Sequence, residues 1–152
     1  MDEGHLRTAI ELAQQNAKAG GRPFGAVLVR DQQVIGRGVN NIARTLDPTT
    51  HAEVEALRAA CKSLQQVRLP GSIMYASGHP CPMCLAAMHL CRVERVFYAY
   101  DQRDAEPYGL STEALYAELR KPLPEQSMPV VHLPLRVEGL DPYATWRATQ
   151  TP

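Results

Sequence analysis

No run of 18 or more apolar residues occurs anywhere in this chain, so nothing in it reads as a membrane-spanning helix. Neither charge is in surplus, with 16 Lys and Arg against 16 Asp and Glu, and the basic residues are scattered. Phosphate binding normally leaves a basic footprint, so nucleic acid is a disfavoured partner. Internal repeats and low-complexity tracts are also missing, which argues against solenoids and disordered tails. The opening MDEGHLRTAI lacks a basic region followed by an apolar stretch, so no signal peptide is read and a cytoplasmic location is the expectation. Cysteine is scarce, four in 152 residues. In a reducing compartment such a set points to metal or redox chemistry rather than a disulfide framework.

The length suits one soluble domain, residues 1–152, that buries roughly two-thirds of its unfolded surface and needs no metal merely to hold together. Leu6, Ala9, Ile10, Ala13 and Ala17 recur at helical spacing before Gly20 and Gly21. Residues 25–29 and 34–39 are β-rich runs joined by a polar turn, a predicted hairpin. Asp47-Pro48-Thr49-Thr50 then makes a turn from which Thr49 or Thr50 is expected to cap a helix carrying His51 and Glu53 in its first turn. Residues 73–76 form a predicted buried strand, and Pro82 suits the first position of the next helix. Strands over 93–100 and 129–133 and helices over 113–120 and 142–148 follow. The expected fold is α/β, alternating and layered.

The chemistry concentrates in two segments, His51-Ala52-Glu53 and Pro80-Cys81-Pro82-Met83-Cys84, each opening a predicted helix. A catalytic zinc takes three protein ligands from His and Cys and keeps its fourth position open. His51, Cys81 and Cys84 supply that set, and two positive helix ends aimed at one spot would favour thiolates there. Glu53 is the candidate to carry protons for a hydrolytic deamination. Cys-x-x-Cys alone also fits a structural zinc site, which would need a fourth ligand such as His79, or a dithiol redox pair, which gives His51 and Glu53 no role. Together the two segments match the signature of zinc deaminases. Cys61 and Cys91, in helical patterns, read as small buried apolar residues.

These residues resemble the cytidine deaminase superfamily, and within it the bacterial guanine deaminase branch. The similarity runs through residues 21–27, Asn40-Asn41, residues 47–54, residues 80–85 and the C-terminal residues 142–147. The resemblance implies a three-layer α-β-α fold with a five-stranded mixed sheet and one zinc per chain. It also implies a homodimer whose C-terminal segment, from about residue 136, is exchanged onto the partner, and a small heterocyclic base as substrate, guanine first. By the same resemblance Phe24 stacks on the base, Asn40 hydrogen-bonds it, and Ala52, His79, Asp104 and Thr112 join the base-binding set.

The chain departs from that branch where the base is read. The branch has Glu at the position of His79 and an acidic pair where this chain has Ser111-Thr112. A carboxylate only accepts, whereas the single Thr hydroxyl donates or accepts. Cytosine, isocytosine, ammeline and pterins therefore stand beside guanine as substrates. tRNA adenosine deamination and a non-catalytic zinc module are the alternatives outside that class.

Overall fold

The computed structural model describes residues 2–150, which divide into two compact units, 2–120 and 121–150. The first unit begins with helix α1 (Asp2–Lys18) and the hairpin β1 (Gly25–Arg30) and β2 (Gln33–Val39). Asp31 and Gln32 form its turn, both at positive φ (51° and 63°), as a two-residue hairpin loop requires. A short helix α2 (Ile42–Thr45) leads to α3 (Ala52–Leu64), then β3 (Ser72–Gly78), α4 (Pro82–Leu90) and β4 (Arg95–Tyr100). Helices α5 (Gln102–Ala105) and α6 (Glu113–Leu119) complete the unit. No helix among the described residues is long and apolar enough to cross a membrane.

The sheet order is β2-β1-β3-β4, with β1 antiparallel to both neighbours and β3 parallel to β4. Alternation along the strands fills two cores. Val27, Val29 and Tyr75 pack with Ala9, Leu6 and Leu12 of α1, while Ala26, Leu28 and Met74 pack with Ala52, Ala56 and Leu57 of α3 and with Cys84 and Met88 of α4. Because both faces are covered, β1 is buried almost throughout, the mark of a central strand in a layered α/β fold. The first unit is thus α1, sheet, and α3 with α4, in three layers. On β2, Gly38 lets α3 approach closely, since a Cβ there would overlap the Ala52 carbonyl oxygen.

The strand directions assemble the site. Since β2 and β3 both run opposite to β1, and β4 runs with β3, the start of β1 and the ends of the other three lie at one edge. Gly25 faces Val39, and Gly78 faces Tyr100 across the ladders. Phe24, Asn40, His79 and Asp101 therefore converge although 77 positions separate the first from the last. Ligand sites in open α/β sheets lie beyond the carboxyl ends of parallel strands, here β3 and β4.

Two expectations are corrected. Among the described residues the sheet has four strands rather than five, because residues 129–133, which begin at Pro129 and are followed by Pro134, find no partner ladder, with Val131 and Leu133 exposed in the single chain. Neither Thr49 nor Thr50 caps α3. Thr49 bonds the Asp47 carboxylate and Thr50 Oγ1 donates to the Asp47 carbonyl, so this turn satisfies itself and His51 becomes the N-cap. In the second unit α7 (Pro142–Thr149) does carry a cap, Asp141, whose carboxylate accepts the Ala144 N–H.

Candidate active site

His51 is the N-cap of α3 and Cys81 the N-cap of α4, both with extended backbone and neither with a side-chain capping bond. Their side chains are thereby free to meet in front of the two helix starts, where the first-turn N–H groups concentrate positive potential. Pro82 occupies the first helical position, where its missing N–H costs no bond, and Cys84 follows one turn on, fully buried. His51 Nδ1 lies 3.4 Å from Cys81 Sγ and 3.5 Å from Cys84 Sγ, and the two sulfurs are 3.5 Å apart.

These distances test the metal expectation. Tetrahedral zinc at its usual bond lengths sets sulfurs about 3.8 Å apart and each about 3.6 Å from a ligating nitrogen. The three ligand atoms lie within 4.8 Å of one another and match that spacing to a few tenths of an ångström. His79 is not part of the cluster. Its Nδ1 lies 2.9 Å from the Pro80 carbonyl and its ring is edge-packed on Tyr98 and Tyr116, so the four-ligand structural site is not formed. The Cys81 thiol is drawn well below its ordinary range, first by the Cys84 hydrogen bond and then by His51, while Cys84 is driven up by the same bond and by burial. His51 is raised, chiefly by its bond with Cys81. A cationic ion placed among them would hold both sulfurs as thiolates and the imidazole neutral.

Glu53, in the first turn of α3, is 7% exposed, and the Cys84 thiol donates to its Oε2 over 3.4 Å. Burial pushes its carboxyl above the usual range. A carboxylate raised towards neutrality is suited to take and return protons.

The cluster opens on a cavity of about 550 Å³ lined by His51, Glu53 and Cys81, by Phe24 and Asn40, and by residues of the β4–α6 segment. That is a size typical of small-molecule sites. Phe24 lies against the end of β3, where Gly78 makes room: a Cβ there would come 3.1 Å from the ring. Asn40 Oδ1 accepts the Ile42 N–H at 3.2 Å, which commits the oxygen and leaves the NH2 as the donor. His79, Asp104 and Thr112 also line the cavity. Asp104 is exposed and its carboxylate accepts the Asp101 N–H at 2.9 Å, closing the first turn of α5. The Ala52 side chain is 1% exposed, inside the core between α3 and the sheet, and does not line the cavity.

Sequence reasoning did not find Gln102 and Tyr116. Gln102 lines the cavity and bonds Thr112, and Tyr116 donates to the Pro80 carbonyl at 2.5 Å, tying α6 to the Cys81 loop. No motif marks either residue. The one available signal was the polar Asp101-Gln102-Arg103-Asp104 run directly after a strand end.

Residues 1–100 match the family described as the cytidine and deoxycytidylate deaminase zinc-binding region. The chain is 43% identical to the guanine deaminase of Bacillus subtilis (strain 168) over 146 residues, 95% of this chain and 93% of that one. It is also 43% identical to a tRNA-specific adenosine deaminase of Agrobacterium fabrum, over 59% of this chain and 61% of that protein. Among solved structures, the X-ray structure of guanine deaminase from Bacillus subtilis superposes with a TM-score of 0.88 at 42% identity, covering 99% of this chain and 96% of the other. A close homologue of a guanine deaminase, with a His and two Cys positioned to bind a metal ion, the chain belongs to the cytidine and deoxycytidylate deaminase family of zinc-binding enzymes.

Proposed function

We propose that this protein is a zinc-dependent aminohydrolase of a free nucleobase or related heterocycle, with guanine as the first substrate to test. The observation that carries the reading is a buried carboxylate, Glu53, set against the His51, Cys81 and Cys84 cluster in the wall of a cavity with room for a heterocyclic base. Near-full-length similarity to a guanine deaminase supports the choice of base. The tRNA-specific relative matches over a shorter stretch.

His51, Cys81 and Cys84 would hold the zinc, one per chain. When bound, it supplies the charge that lets an attacking water ionise near neutral pH. Glu53 takes a proton from that water as its oxygen bonds to the amine-bearing carbon, and delivers it to the neighbouring ring nitrogen. It then moves the proton of the new hydroxyl to the amine; the carbon–nitrogen bond breaks, a carbonyl remains and ammonia leaves. Phe24 stacks on the ring. The Asn40 NH2 donates to an acceptor on its edge, and a donor fixed in this way favours a ring held in one orientation.

We read the enzyme further as a cytoplasmic homodimer that exchanges the segment from about residue 136. All four cysteines are free thiols, which suits a reducing compartment. In the single chain Leu140, Tyr143 and Trp146 are exposed, as side chains that pack on a second subunit would be.

Ammonia release from zinc-loaded protein on guanine, cytosine, isocytosine, adenine, 2-aminopurine, ammeline and pterins tests the reading. Turnover of guanine or another of these bases is the expected result. Silence on all of them overturns it, and inosine formation in an anticodon-loop RNA without free-base activity would transfer the function to tRNA.

A further inference from the structure

Thr112 is the N-cap of α6, yet its hydroxyl caps nothing. Ser111 Oγ accepts the Glu113 N–H at 3.3 Å instead. Threonine at such a position ordinarily turns its oxygen to the N–H two or three residues on. Here Gln102 claims that oxygen. Its Nε2 donates to Thr112 Oγ1 over 2.9 Å, and the Thr112 N–H donates to Gln102 Oε1 over 2.9 Å. A backbone N–H can only donate, so the amide must turn its oxygen to the backbone and its NH2 to the hydroxyl. The hydroxyl therefore accepts from Gln102 and keeps its single hydrogen for another partner. Gln102 is itself fixed as the first residue of α5, a turn closed by reciprocal bonds between Asp101 and Asp104. Both residues line the cavity beside His79, whose Nδ1 lies 3.2 Å from Gln102 Nε2.

We propose that Gln102 is the positioning residue that sets substrate polarity at this wall: it makes Thr112 a hydrogen-bond donor. The site then takes amino-heterocycles that present a carbonyl oxygen or a bare ring nitrogen to Thr112, where a carboxylate would select a ring N–H. This rests on the aminohydrolase reading of the same cavity.

The test is calorimetric binding of guanine and isocytosine to zinc-loaded protein carrying Glu53→Gln to stop turnover, with turnover of the Glu53 form followed in parallel. Thr112→Val, which keeps shape and removes the hydroxyl, should weaken binding about tenfold, the size of one hydrogen bond, while Thr112→Ser stays within about twofold. Gln102→Glu offers acceptors to both the Thr112 N–H and its O–H, turning the hydroxyl hydrogen away from the base. It should cost the same about tenfold, and the Gln102→Glu/Thr112→Val pair no more than either alone, because both remove one interaction. In turnover the loss should fall on KM with kcat little changed.

Parental affinity in Gln102→Glu, losses that multiply in the pair, or no binding of either base overturns the proposal. If Gln102→Glu does not fold, the other two variants decide: equal affinity of Thr112→Val and Thr112→Ser overturns it. Binding losses as expected without any turnover would remove the aminohydrolase reading and leave the polarity intact. Turnover without the binding losses would do the reverse.

Discussion

Glu53 sits where two demands compete. Burial opposes its negative charge and lifts its proton affinity, while the Cys84 thiol donates to it and works the other way. An amide at this position keeps the shape and loses the proton traffic. Glu53→Gln should therefore lower kcat on the best base by roughly 10²- to 10⁴-fold while zinc stoichiometry, read by atomic absorption, stays at one per chain. A matching loss of zinc would mean that the residue serves the metal rather than the protons. The ligands give a second expectation. Zinc requires deprotonated thiols and a neutral imidazole, and Cys84 and His51 are both shifted towards holding their protons. Zinc added to chelator-treated protein near neutral pH should release protons, and affinity should fall as the pH is lowered. An uptake independent of pH, followed with a colorimetric zinc indicator, would contradict the ligand assignment.

Single residues were also where the sequence was most and least readable. His51, Cys81, Cys84 and Glu53 could be named because their chemistry demands fixed types at fixed local spacing, and the fold needed only to bring two helix starts together. Gln102 and Thr112 are ten positions apart across two short helices with no periodicity. Their pairing exists only in three dimensions.

Among elements, the ones that announced themselves were those with a full period of apolar residues, α1, α3 and the strands of the two packed faces. Helices α2 and α5 have four residues each, shorter than any periodic signal, and hold together by Asx-type and capping bonds. The approach of α3 to β2 was equally hidden, since Gly38 looks like a strand weakness until the Ala52 carbonyl is seen above it. Gly38→Ala forces β2 and α3 apart at the turn that carries His51. Urea unfolding should show a loss of about 1–3 kcal/mol, the usual cost of overpacking, accompanied by weaker zinc binding. Unchanged stability would mean that the helix can slide without consequence for the sheet.

For the molecule as a whole, the division after Arg120 separates a unit that contains every residue lining the cavity from one whose apolar side chains lie open in the single chain, Val131, Leu133, Leu135, Tyr143 and Trp146 among them. Exposed apolar surface of that kind is what the proposed exchanged dimer would cover. Sedimentation velocity should find a dimer, and a chain ending at Arg120 should sediment as a monomer that still retains zinc. A full-length monomer would refute the exchange. The fifth strand was expected from a run of Val and Leu, but composition alone cannot supply the neighbouring ladder that turns an extended segment into a strand.

The two uncapped helix starts have a further consequence. Helices α3 and α4 each forgo a side-chain cap, a contact ordinarily worth about 1 kcal/mol, and the residues at those positions, His51 and Cys81, turn instead into the cluster positioned to bind a metal ion. Whatever tethers His51 and Cys81 thus also secures the ends of two helices against fraying. Thermal denaturation then reports occupancy: a partly loaded preparation should melt in two steps, and the height of the upper one would measure the active fraction before any substrate is added.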